Sequence, residues 1–242
     1  MDNSRFYEGV KFNEMSNRAE IHSIDKDGNI KIVPWTDADE AKSMQYCETH
    51  FNMYHKDKHS AALRILFDER KYNPLRDIVD GLTWDGENRC EHFLTKWAKC
   101  DDSPYVREVS RLIFAGGIHR LYQPGTKFDD VPILMGKQGC GKSSLVRFLA
   151  INDNYYGEVT LVEGQQAIEQ IQGKWICEMS EMLALTKAKE QEAVKAYITR
   201  AVDSYRNSTA QVGNNDVKVC IVLAILFSIQ FCNCLLVKGM EN

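Results

Sequence analysis

The run Gly136-Lys137-Gln138-Gly139-Cys140-Gly141-Lys142-Ser143 fills every specified position of the pattern GxxxxGK[ST]. Four specified positions met by accident in a chain this long is roughly a one-in-a-hundred event at ordinary residue frequencies. Each residue type has a task in gripping a polyphosphate. The glycines let the backbone curl so that successive N–H groups face phosphate oxygens. A helix starting at the lysine adds the partial positive charge of its N-terminus. The Lys142 ammonium reaches the β- and γ-phosphates, and the Ser143 hydroxyl ligates Mg2+. The predicted cradle is Gly136, Lys137, Gln138, Gly139, Cys140, Gly141, Lys142, Ser143 and Ser144, with ATP and Mg2+ as its ligands. A mere glycine turn before a helix would need neither the lysine nor the hydroxyl.

Hydrolysis of such a ligand also needs acid on a neighbouring strand. Trp175-Ile176-Cys177-Glu178 brings a carboxylate to the end of an apolar run, and Glu181 follows three residues on. Glu178 is assigned to magnesium and Glu181 to the attacking water, although spacing alone also allows the exchange. Lys189, Lys195, Arg200 and Arg206 follow; an arginine from a neighbouring subunit could stabilise charge on the transferring phosphoryl group. Glu190 and Glu192 on the same stretch equally suit a solvated helix face.

These groups need elements to hold them. Val131 to Met135 reads as a short apolar strand and Lys142 to Ala150 as a helix, which is the strand–loop–helix order a phosphate loop requires. Gln165 to Gln172 reads as helix, Lys174 to Cys177 as strand, and Lys187 to Val202 as a helix capped by Thr186. Strands alternating with helices predict an α/β fold with a parallel sheet. Ahead of the loop, helices are predicted over Cys90 to Lys99 and Pro104 to Tyr122, the latter with Ser103 as cap and proline at the first helical position.

Residues 1–70 read as a mainly helical appendage with a β-hairpin. Ile21 to Ile24 and Ile30 to Val33 flank the turn-rich Asp25-Lys26-Asp27-Gly28-Asn29. That run starts like a calcium loop, but Ile30 and Thr36 occupy the positions that need glycine and carboxylate. Thr36 caps a helix whose Met44, Cys47, Phe51 and Tyr54 recur as one buried face would. A second helix covers Ala61 to Phe67, and Pro74 breaks the chain near a boundary at about residue 70. His55 and His59 share helical spacing without the glutamate of a zinc motif and read as surface residues.

A formal net charge of −4 gives no whole-chain attraction to nucleic acid, so a DNA-binding channel would have to be local or assembled from several subunits. Eight scattered cysteines and a polar opening stretch point to a reducing cytoplasm. Val219 to Val237 is a nearly continuous apolar run between Lys218 and Lys238. Its length suits a membrane span; against that stand Ser228, Gln230, Asn233 and three cysteines, and the run could be two buried strands instead.

Several ordered segments resemble the virulence-associated protein E family. They are Asn73-Pro74-Leu75, Asp80-Gly81-Leu82-Thr83-Trp84-Asp85-Gly86, Thr126-Lys127-Phe128-Asp129 before the loop, and Gly173-Lys174-Trp175 with Glu178 to Glu181. Lys195-Ala196-Tyr197 and Val202-Asp203-Ser204-Tyr205-Arg206 complete the set, which spans about residues 72–206. The resemblance implies a phage- or plasmid-borne P-loop NTPase with an AAA+-like core, similar to superfamily 3 helicases. It further implies a homo-oligomeric ring, single-stranded DNA as partner, and association with a primase. On this division residues 71–125 are a helical region, 126–206 the ATPase core and 207–242 a divergent apolar tail. The family's next core strand, ending in an Asn-containing sensor, is not recognisable after Asn207; a truncated or frame-disrupted gene would explain that. The leading expectation is a helicase-like ATPase in mobile-DNA replication. A non-hydrolysing nucleotide-binding remnant and a small-molecule kinase are the rivals.

Overall fold

The computed structural model describes residues 8–128, 130–180, 196–197, 202–204, 215–217 and 221–227. The described residues through Asp80 form one compact unit and those from Gly81 onward a second.

The first unit is built on a four-stranded sheet. Its strands are β1 (Val10–Asn13), β2 (Arg18–Ile24), β3 (Ile30–Pro34) and β4 (Lys71–Tyr72), in the order β3-β2-β1-β4. The predicted hairpin is β2–β3. The Asp25 carboxylate accepts the N–H groups of Asp27 and Asn29 at 2.9 and 2.8 Å and so builds the turn itself. Reading this region as mainly helical missed β1 and β4. β1 is only four residues long, but it buries Val10 and Phe12 against Leu63 and Phe67. Those last two project from α2 (Lys56–Glu69), which follows α1 (Asp37–Phe51). A two-stranded ribbon alone has little to pack on, and β1 with α2 supplies the missing face.

Two expectations fail here. Phe51 and Tyr54 are exposed rather than part of a buried stripe, and the residue of α1 that is buried is Ser43. Its hydroxyl lies 2.8 Å from Nε2 of His59, which is buried rather than on the surface. The bond between them satisfies one ring nitrogen of His59, and periodicity of apolar residues is blind to such a buried polar pair. The first unit continues past residue 70 to Asp80. β4 pairs in parallel with β1, and Asn73 caps α3 (Pro74–Asp80) by accepting the N–H groups of Leu75 and Arg76. Pro74 thus opens a helix at the position where its missing N–H costs nothing.

The second unit begins with α4 (Phe93–Trp97) and α5 (Pro104–Tyr122), which starts as predicted with the Ser103 hydroxyl accepting the Val106 N–H at 3.2 Å. Then come β5 (Ile133–Gly136), α6 (Lys142–Leu149), β6 (Tyr156–Glu158), α7 (Gln165–Glu169) and β7 (Ile176–Ser180). A short antiparallel pair, β8 (Val202–Ser204) and β9 (Asn215–Val217), precedes β10 (Ile221–Phe227). Val202, expected to end a helix, is therefore in a strand. Of that helix, the described Ala196 and Tyr197 are helical and the rest lies outside the described residues.

The main sheet has the order β5-β10-β7-β6, and every pairing in it is parallel. β10 comes from the segment set aside as a divergent tail. It is an inner strand, with Phe227 opposite Gly136 and Leu223 opposite Glu178. A continuous apolar run is what a parallel strand flanked on both sides requires, and periodicity cannot tell it from a membrane segment. Among the described residues no helix is long and apolar enough to cross a membrane.

Alternation along the strands sorts the two faces of the sheet. Val131, Ile133, Cys177 and Met179 join one core with Val159, Ala167, Ile171 and Tyr197. Leu134, Ile176 and Glu178 have the opposite parity.

Two contacts with α5 deliver the chain to this sheet. The Trp175 indole N–H donates to the Gly117 carbonyl at 2.9 Å. Arg120, 2% exposed, donates to the carbonyls of Thr126 and Phe128 at 3.1 Å each, just ahead of β5. Gly116 lets the Phe128 ring close on the helix, since a Cβ there would lie 2.4 Å from it. Arg120→Met keeps the apolar stem and removes both donors, and it should lower stability by about 1–3 kcal/mol. An unchanged urea midpoint would show that the guanidinium does not pin this segment.

Candidate functional site

β5 ends at the carboxyl edge of the parallel sheet, and the next residues must reverse onto α6. Gly139 and Gly141 make the reversal at φ 79° and 89°, the left-handed region where a side chain is strained. Gly141 is the cap of α6, and its carbonyl accepts the Leu145 N–H at 2.9 Å. The residues from Lys137 to Gly141 are exposed, whereas Gly136 is buried. The curl is tight, since a Cβ on Gly136 would come within 3.2 Å of Cys140 Sγ.

Lys142 turns inward from the first position of α6 and is 8% exposed. Its ammonium donates to the carbonyls of Gly136 and Lys137 at 2.8 Å each and approaches Cys140 Sγ at 3.5 Å. A buried ammonium must be satisfied in this way. The loop, Lys142 and α4 together line a hollow of about 240 Å3.

Glu178, the third residue of β7, is 3% exposed. Both its oxygens accept a hydrogen bond. Ser143 Oγ donates to Oε1 at 2.9 Å, and the Tyr156 hydroxyl donates to Oε2 at 2.9 Å. The loop helix and the acid strand, 35 residues apart, therefore meet through the two residues singled out for the metal. Burial, followed by the hydrogen bond from the phenol to Glu178, pushes the Tyr156 hydroxyl above its usual range, so it stays a donor. The Arg147 guanidinium packs over the Tyr156 ring at 4.9 Å and bonds Asp153 at 3.2 Å, which fixes the ring's position.

Glu181, Lys189, Lys195, Arg200 and Arg206 lie outside the described residues. Tyr156 escaped the sequence reading, because nothing in its spacing connects it with Glu178. What brings it there is β6 pairing in parallel with β7, with Tyr156 opposite Ile176. Tyr156→Phe should destabilise the protein by about 1–3 kcal/mol by stripping a donor from a buried carboxylate. The cost should shrink in a Glu178→Ala background. Equal losses in both backgrounds, measured by chemical denaturation, would sink the pairing.

Residues 79–224 match the virulence-associated protein E-like domain, which is more than half of the chain. The match runs beyond residue 206 and takes in β9 and the first residues of β10, so the family pattern reaches into the segment first set apart. No curated protein matches the chain. On this match, the chain belongs to the virulence-associated protein E-like family.

Proposed function

We propose that this chain is a Mg–ATP-binding P-loop ATPase whose second unit is the α/β, AAA+-like core of that class. The observation that carries the reading is the 2.9 Å contact between Ser143 Oγ and Glu178 Oε1. That contact sets a hydroxyl of the loop helix beside a buried carboxylate, and oxygen donors of this kind are the ones that would hold Mg2+. The donor set also fits in kind, since both atoms are hard oxygens beside a loop suited to phosphate. Magnesium held there would neutralise charge on the β- and γ-phosphate oxygens.

The chain's own groups do the rest. Lys142 exchanges the carbonyls of Gly136 and Lys137 for phosphate oxygens, and the amides from Gly136 to Ser144 hold the polyphosphate. Glu178 is the metal's carboxylate, and Glu181 orients the water for in-line attack. Catalysis of this kind is positioning plus electrostatic stabilisation.

Family membership suggests a phage- or plasmid-associated protein. We place the ATPase in the replication of such DNA, with helicase-like action on a single strand, a ring of identical subunits and a primase as a neighbouring activity. A net charge of −4 asks that the DNA channel be lined locally by those subunits. The rival reading of a non-hydrolysing remnant was founded on the sensor region missing after residue 206. β10 supplies a strand between β5 and β7 from that segment, which favours the intact core, and substantial hydrolysis by the purified chain would eliminate the rival.

Lys142→Ala should lower ATP turnover by roughly 10²–10³-fold, as losing a preorganised charge on the transferring group does. Phosphate release assayed with and without single-stranded DNA is the test. Unchanged turnover in the variant defeats the ATPase reading, and transfer of phosphate to a metabolite instead of water would make the protein a kinase.

A further inference from the structure

The phosphate loop has an apolar neighbour that phosphate binding leaves unused. The hollow of about 240 Å3 beside it is lined in part by Gly136 and the lysines Lys99, Lys137 and Lys142. Trp97, Ala98, Leu134 and Leu145 supply its apolar lining. Pockets that enclose a whole drug-sized ligand run to about 300–1,000 Å3, so this one suits a single flat ring system with its charged part outside.

Trp97 is the feature that asks for an explanation. It is 56% exposed, although it ends a helix whose Phe93 and Leu94 are buried. The chain closes that helix with the Cys100 N–H reaching back to the Leu94 carbonyl at 3.3 Å and Lys99 in the left-handed region at φ 57°. This turn ends α4 at Trp97 and Ala98, which line the hollow together with loop residues. The Phe148 ring, from the last turn of α6, lies 6.0 Å from the indole at an angle of 37° and limits its swing. An indole held in place on the wall of a small apolar hollow, next to groups that grip phosphate, is a platform for an aromatic ring joined to that phosphate.

We propose that this hollow takes the nucleobase of the bound nucleotide, with Trp97 as its stacking platform and Ala98, Leu134 and Leu145 as the apolar wall. The inference rests on the nucleotide reading above and adds the base side of the site. Stacking addresses the face of a base and not its edge, so Trp97 contributes affinity for purine and pyrimidine nucleotides alike and selects little among them.

Calorimetric titration of the full chain with Mg–ATP and, separately, with Mg–tripolyphosphate tests the proposal. Trp97→Ala should weaken ATP roughly five- to hundredfold while tripolyphosphate stays within about twofold of the wild type. Trp97→Phe should recover most of the lost ATP affinity. GTP and CTP should weaken along with ATP. Unchanged ATP affinity in Trp97→Ala overturns the inference and leaves the indole as a surface for another macromolecule. So does an equal loss for tripolyphosphate, which would mean that the loop itself had been disturbed. Wild-type protein binding tripolyphosphate as tightly as ATP would sink the base site alone, whereas binding neither would sink the nucleotide reading beneath it.

Discussion

A carboxylate removed from water has to be satisfied by the protein, and Glu178 is 3% exposed. The two hydroxyls that satisfy it come from two different elements, both earlier in the chain than β7. Ser143 sits in the first turn of α6 and Tyr156 on β6. Neither can be in place unless β6 pairs with β7 and the loop has reversed onto the sheet. The local geometry of the loop and the assembly of the sheet are thus made to agree at one side chain. An apolar residue at 178 would leave both hydroxyls without that acceptor and would relax the tie between loop helix and acid strand.

Parity and register decide which side of the sheet the acid faces. Cys177 and Met179 go to the apolar core with Val131 and Ile133, so Glu178 must face the other way. A slip of one residue would send Glu178 into that core and turn Met179 toward Ser143. Trp175 guards against the slip, because its indole N–H bonds the Gly117 carbonyl on α5 just before β7 starts. β10 sets the relative height of β5 and β7. It pairs Phe227 with Gly136 and Leu223 with Glu178, so its seven residues hold the glycine loop and the acid at a fixed offset.

What could be read from the sequence was what is local. The curl from Gly136 to Ser143, the Ser103–Pro104 helix start and the turn at Asp25 each depend on residues within a few positions of one another. Their residue types state the geometry directly. Glu178 was legible as an acid on an apolar strand, since that too is a short pattern. Its partner Tyr156 was not, because only strand pairing brings the two together. β10 was legible only as one of two readings, buried strand or membrane span, for a related reason: both are unbroken apolar runs, and the difference lies in what flanks them. Ser43 and His59 show the converse failure. Each looks like a surface residue by type, and each is buried because of the other. Phe51 and Tyr54, which look like core by type and spacing, are 69% and 64% exposed.

The same satisfied network bears on how the proposed ligand would bind. Lys142 already spends two hydrogen bonds on the carbonyls of Gly136 and Lys137, and Ser143 already donates to Glu178. A polyphosphate arriving alone must draw the ammonium off neutral acceptors, an exchange that favours the charged partner. A metal ion arriving alone must compete with a hydroxyl and gains only one carboxylate, a poor return for an ion that sheds water reluctantly. Arriving together, the phosphate supplies further oxygens to the metal while the metal offsets charge that Lys142 alone cannot balance. On the proposed reading the site is therefore built for the metal–nucleotide complex as a unit. The Ser143–Glu178 bond keeps the two protein oxygens that would hold the ion side by side without leaving either unsatisfied.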